Sequence, residues 1–264
     1  MEDCMKNIVQ LFRKRIGYPD LKKITFEDLS DVLVKTGKTF PFENLCIMKG
    51  TYAPITQESL IVKTLVRNEG GLCYELNPVL YLFLKENGFH VCLVDGVVFN
   101  QAKGAWSSTG RTHVAILLEH ENQKYIIDTG FGANIPLAPI PLSGEIVKTG
   151  NGEFRISKSN NEFGDFVFEM KRRDKDTEWQ IGYTFGSKKE IRELSELDNI
   201  QTIIRESKDS SFNKSPLITI LHEKGSMTLT NHSFTKWEEG KIIKEDIDEE
   251  KFKELAKKHF GLQY

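Results

Sequence analysis

The chain has 264 residues, and its 36 Lys and Arg nearly balance 38 Asp and Glu, a formal net charge of −2 that argues against a nucleic-acid partner. No stretch approaches the roughly 18 apolar residues of a membrane span, and Met1-Glu2-Asp3-Cys4 opens no cationic leader. A soluble, cytoplasmic protein with no membrane partner is the expectation. The four cysteines, Cys4, Cys46, Cys73 and Cys92, contain no C-x-x-C pair, so neither a structural metal site nor a disulfide framework is expected.

In chain order, Ile8, Leu11, Phe12 and Ile16 recur at helical spacing, and Thr25-Phe26-Glu27-Asp28 reads as a capping-box start to a helix carrying Leu29, Val32 and Leu33. A third helix is predicted from near Thr56, with Leu60, Ile61, Thr64 and Leu65 on one face, ending before Gly70-Gly71. A fourth is predicted between Cys73 and Gly88. Pro78 is welcome only in a first turn, so this helix must start later than Cys73 or bend.

From Phe89 the period becomes strand-like, at 89–99, 112–119, 124–128, 153–158, 164–170 and 177–185, and predicts an antiparallel sheet or barrel. Gly130 to Pro141, with Pro136, Pro139 and Pro141, is predicted as an ordered loop without a regular element. A helix-like Glu190 to Ile204, short strands around 216–222 and 226–230 and an amphipathic Glu249 to Phe260 complete the chain. The expected fold class is α+β, in three lobes packed together: 1–88 helical, 89–188 a β-barrel and 189–264 mixed.

The segment Gly70-Gly71-Leu72-Cys73 places a thiol at a predicted helix start. Unpaired N–H groups and the positive end of the helix dipole favour a thiolate there, and the glycines permit a tight turn and close approach. A nucleophile of this kind needs a base and an orienting group. His113 opens one strand and Asp128 closes the next; a hairpin turning at 120–123 sets Asp128 opposite His113 or Ala115, and in either register the two side chains share a face. The order and the shared face argue for a Cys73-His113-Asp128 triad. His90, His120, His232 and His259 have no such partner pattern, and His120 falls in the proposed turn.

Five ordered motifs then resemble the arylamine N-acetyltransferases, in a bacterial-type form, over nearly the full length. They are Phe40-Pro41-Phe42-Glu43-Asn44-Leu45, Gly70 to Asn77, Ser108-Thr109-Gly110-Arg111-Thr112-His113, Asp128-Thr129-Gly130-Phe131-Gly132, and Gly225-Ser226-Met227-Thr228-Leu229-Thr230. The resemblance implies a helical bundle, an antiparallel β-barrel and a C-terminal α/β lid around a cysteine-protease-like core. It implies that Cys73 takes an acetyl group from acetyl-CoA and passes it to an arylamine or arylhydrazine by a ping-pong route, with no metal. CoA contacts would fall on Thr109, Gly110, Gly130, Gly132 and Thr230, and ring contacts on Phe42, Phe131 and Phe212. Family members commonly carry arginine before the double glycine, whereas this chain has Glu69, with Arg67 two residues earlier; Ser226 is a second departure. A papain- or transglutaminase-like thiol hydrolase, a related amide synthase and a non-catalytic redox-responsive protein are the alternatives. Oligomeric state is not legible.

Overall fold

The computed structural model describes residues 8–19 and 23–263, so Cys4 lies outside the described residues. The first part of the chain is helical: α1 (Ile8–Ile16), α2 (Leu29–Thr39), the short α3 (Leu45–Lys49), α4 (Gln57–Ile61) running into a π-turn (Val62–Val66), and α5 (Cys73–Glu86). Thr25 does not itself cap α2. Its N–H and hydroxyl both donate to Asp28 Oδ2, at 3.0 and 3.2 Å, closing a turn from which the helix leaves at Leu29. Thr56 and Ser59 form a reciprocal capping box for α4, as that helix start requires.

Helix α5 begins at Cys73 and continues through Pro78, so the expectation of a later start is not met. Proline removes the donor that the Tyr74 carbonyl would have used. The helix compensates by burial: Leu76, Val79, Leu80, Phe83 and Leu84 are all 2% exposed or less. Each such side chain contributes roughly 1.5–3 kcal/mol, well above one forgone hydrogen bond.

Eight antiparallel strands form a nearly closed barrel in the order β5-β4-β3-β2-β9-β8-β7-β6, with β5 lying against β7. They are β2 (His90–Asn100), β3 (Ala105–His120), β4 (Gln123–Ile127), β5 (Ile140–Pro141), β6 (Val147–Thr149), β7 (Gly152–Asn161), β8 (Gly164–Arg172) and β9 (Gln180–Ile191). The apolar run of β3 serves two cores. Val114, Ile116 and Leu118 face the helices, while Ala115 and Leu117 face the barrel interior with Phe154, Phe168 and Phe185. The β3–β4 hairpin pairs Ile116 with Ile127 and His120 with Gln123, turning on Glu121 and Asn122 at φ 50° and 62°. This is the register that sets Asp128 across from Ala115.

Two predicted segments are corrected by this sheet. Within 130–141, Gly132–Asn134 form a 3-10 turn, and Ile140–Pro141 pair with Ile126 and Tyr125 at the sheet edge, where a proline is tolerated. The helix expected from Glu190 begins only at Leu197, because Glu190 and Ile191 are drawn into the β2 ladder opposite Val94 and Leu93.

The last part adds α6 (Leu197–Glu206), β10 (Leu217–His222), β11 (Gly225–Thr230), β12 (Ser233–Glu238), β13 (Lys241–Asp246) and α7 (Glu249–Phe260). Phe252, Leu255, Ala256 and Phe260 of α7 pack on Ile218, Leu229 and Phe234 of this second sheet, the α/β lid. Its first strand comes from the other end of the chain: β1 (Phe42–Glu43) pairs with Thr219 and Ile218 of β10. No described helix is long and apolar enough to cross a membrane.

Candidate active site

The double glycine is explained by what lies against it. Gly71 N donates to Pro41 O at 3.2 Å and Gly71 O accepts from Glu43 N at 3.0 Å, a short parallel bridge that lays Phe42 beside the start of α5. A Cβ on Gly70 would sit 1.9 Å from Pro41 O, and one on Gly71 would sit 2.7 Å from Glu75 Oε2. Gly70→Ala is therefore expected to cost about 3 kcal/mol and lower Tm by about 6 °C or more in a thermal melt. A melt within 1–2 °C of wild type, about the shift of a neutral surface change, would contradict this.

Cys73 is the first residue of α5, and its thiol donates to Thr112 O at 3.4 Å. His113, 3% exposed, uses Nε2 to meet Asp128 Oδ2 at 2.7 Å, which leaves Nδ1 for the Cys73 thiol, its other hydrogen-bond partner. Burial, the largest single influence, opposes a charge on this imidazole, while the Asp128 carboxylate favours it by charge and by hydrogen bond. With the thiol's contribution the His113 pKa is raised to about 10. Asp128 is itself fully buried and accepts from Gly130 N and Asn77 Nδ2, both at 2.8 Å, besides the imidazole.

Asn77 stands four residues after Cys73, on the same face of α5. Its amide nitrogen bonds Val114 O at 2.7 Å and Asp128, and its oxygen accepts from Thr129 N and Oγ1 at 2.8 and 3.1 Å. One side chain thus ties the helix of Cys73 to β3, which carries His113, and to the turn after β4, which carries Asp128. This role of Asn77 is not among those read from the sequence; its signal there is the i, i+4 spacing from Cys73. Gly130 has a similar reason: a Cβ there would lie 2.6 Å from Cys73 Cα.

The other described thiols are different in kind. Burial, reinforced by Glu75 for Cys46 and Glu190 for Cys92, pushes each to about 12. Neither is a thiolate near neutral pH.

A cavity of about 310 Å³ reaches Cys73 and His113. Its apolar walls are Phe42, Phe131, Phe212, Val98 and Ile204, and its polar ones include Thr109, Gly130 and Asp209. Phe42 and Phe212 meet edge-on at 5.6 Å, and Phe131 meets His113 edge-on at 5.1 Å. Asn44 fixes Phe212 by donating to the carbonyls of Phe212 and Ser215, both at 2.8 Å. Asp128 lies behind His113, outside the lining. Gly110 and Gly132, at φ 68° and 62°, are not among the lining residues, nor is Thr230, whose hydroxyl is engaged in the turn to Ser233.

Behind Cys73, Lys63 of the π-turn is buried between two carboxylates, with Nζ 2.6 Å from Glu75 Oε1 and 3.6 Å from Glu43 Oε1. Glu75 Oε2 also accepts the Leu72 N–H at 3.0 Å, fixing the start of α5. Burial raises Glu43 despite Lys63, and Glu75 adds to the rise. The Glu69 side chain lies outside this ion-pair group, touching it only through its N–H, which donates to Lys63 O at 3.1 Å, and through a minor charge effect on Glu43: it pairs with Arg67 at 2.9 Å, and both side chains are well exposed. Glu69→Arg is therefore expected to change stability by no more than about 1 kcal/mol. Its acetyl-transfer activity should be at or above wild type in a steady-state assay, and a large loss would place Glu69 in the working network.

A buried thiol, imidazole and carboxylate meet where a helix bundle joins a barrel, an arrangement suited to thiol chemistry, and similarity to known proteins gives the class, an acyltransferase. A family model described as N-acetyltransferase matches residues 25–264. The chain is 41% identical to an uncharacterised acetyltransferase of Bacillus subtilis, covering 98% of each chain. It is 33% identical to a probable arylamine N-acetyltransferase of Dictyostelium discoideum over 85% of this chain and 81% of that one. An arylamine N-acetyltransferase of Bacillus cereus, described as having a unique Cys-His-Glu catalytic triad, matches with TM-score 0.92 and 39% identity, covering 98% of this chain and 99% of that one. The chain belongs to the arylamine N-acetyltransferase family. Where the Bacillus cereus protein is described with glutamate, the carboxylate on His113 here is Asp128.

Proposed function

We propose that Cys73 accepts acetyl from acetyl-CoA and delivers it to the amino nitrogen of an arylamine or arylhydrazine, with CoA leaving before the amine arrives. The observation that carries this reading is the buried His113–Asp128 pair at 2.7 Å, opening with Cys73 onto a single cavity with aromatic walls. At about 310 Å³ it is at the small end of ligand pockets, so a donor arm and a flat ring take turns in it. Among the described residues no Lys or Arg lines it, which suits the uncharged thioester arm of CoA and leaves the phosphates outside. We place that arm along Thr109 and Gly130, with backbone approaches at Gly110, Gly132 and Thr230 beyond the cavity, and the acceptor ring among Phe42, Phe131 and Phe212.

In the first half-reaction the thiolate attacks the thioester carbonyl, and the leading N–H groups of α5 receive the oxyanion. CoA leaves as its thiolate and takes the proton from His113. In the second, the amine attacks the acetyl-cysteine, His113 accepts its proton, and Cys73 departs as thiolate. A reactive thiol kept unpaired fits a reducing compartment, so we place the protein in the cytoplasm.

The test is an initial-rate matrix in acetyl-CoA and 4-methoxyaniline. Parallel double-reciprocal lines are expected; intersecting lines would overturn the ping-pong order.

A further inference from the structure

The cavity that reaches Cys73 carries one charged side chain outside the His113–Asp128 pair. Asp209 lines it, on the segment that follows α6, and is exposed where Cys73 and His113 are buried, so its carboxylate stands at the mouth. That carboxylate is held in place. Ser108 Oγ donates to Asp209 Oδ2 at 3.0 Å, spanning the cavity mouth from β3, and Asp209 N donates to Ser207 Oγ at 3.2 Å. The segment is anchored by Asn213, whose amide bonds the carbonyls of Arg205 and Ser207 at 2.9 and 2.8 Å.

Among the described residues no Lys or Arg shares the lining, and its one histidine, His113, is buried beside Cys73 and engaged by Asp128. Arg111 is engaged by Asp95 at 2.7 Å and by the Phe163 carbonyl. Arg205 lies over the Tyr52 ring at 4.1 Å and pairs with Glu206. Lys208 and Lys214 are exposed and lie outside the lining.

An aromatic amine whose nitrogen reaches the acetyl-cysteine must direct the opposite end of its ring toward the mouth. A carboxylate on that end would come to the mouth beside Asp209, a like charge, with no Lys or Arg of the lining to receive it. We propose that Asp209 is a specificity-determining residue that turns the acceptor site away from carboxylated arylamines and toward neutral or cationic ones. This rests on the arylamine reading above.

The experiment compares acetyl transfer to 4-aminobenzoate and to 4-methoxyaniline by the wild type, Asp209→Asn and Asp209→Lys. In a ping-pong reaction kcat/KM for the acceptor reports only the second half-reaction, so the ratio of the two values is independent of the donor step. The ratio of carboxylate to neutral acceptor is expected to rise about fivefold in Asp209→Asn and roughly 25-fold in Asp209→Lys. In the wild type it is expected to rise as salt screens the mouth. A ratio that moves with neither the charge at 209 nor salt overturns the inference and leaves the arylamine reading standing. Failure of the wild type to acetylate either amine overturns both.

Discussion

Cys73→Ala is expected to abolish acetyl transfer, lowering kcat/KM by at least about 10⁴-fold, because no other described thiol can take its place. Cys46 and Cys92 are held near pKa 12, and neither lines the cavity. Removing one sulfur from a site that is 6% exposed costs stability modestly, about 1 kcal/mol. The variant should therefore melt close to wild type, which separates loss of chemistry from loss of fold. Activity within tenfold of wild type would remove Cys73 from the mechanism.

Asp128→Asn is expected to keep the fold and lose about 10³–10⁴-fold in kcat/KM. An amide oxygen at this position can still accept from Gly130 N and Asn77 Nδ2, so the loop has no reason to collapse. The amide nitrogen then faces His113 Nε2 and donates to it, which puts the ring proton on Nδ1, toward the thiol. In that tautomer the imidazole cannot take the thiol proton.

The charge argument has the same direction. In the wild type the His113 pKa is raised to about 10 from an ordinary 6.5, by Asp128 against burial. The stability linked to that proton is fully present below pH 6.5 and lost as pH rises through 10. Without the carboxylate only the thiol's contribution remains against burial, so the pKa falls from its wild-type position and the imidazolium is disfavoured at neutral pH. Iodoacetamide alkylation of the variant at pH 7 should be slower than wild type by tenfold or more. An unchanged alkylation profile would show that Asp128 does not govern the pair.

Much of this site is legible because it depends on local pattern. The 120–123 turn and the apolar alternation on either side put His113 and Asp128 on one face in either register they allow, and Gly70-Gly71 before Cys73 marks a helix start under close backbone contact. What escapes notice depends on partners remote in sequence. Lys63 reads as an ordinary helix lysine until Glu43 and Glu75 are folded around it. Asn77 is a motif residue whose role needs Val114 and Thr129 from other strands. Asp209 sits in a polar loop with no periodic signal, and only the Ser108 contact brings it to the cavity.

The fold follows the same rule. Strand β13 is exposed at all six positions, so it has no buried face to write an alternation into its sequence, and β12 is only a little better. Strand β3 starts seven residues before the predicted 112, because Ala105 to Arg111 form a polar arm paired to β2 across bulges. At Pro78 the burial of a whole helix overrides a local penalty that the sequence states plainly.

The central claim is an acetyl-cysteine intermediate on Cys73. Its most direct test is intact-protein mass after mixing with acetyl-CoA and no acceptor, followed by peptide mapping and then addition of an arylamine. One acetyl group on Cys73, discharged to the amine, is the predicted result. A protein that takes up no acetyl group while its thiol alkylates rapidly would contradict it.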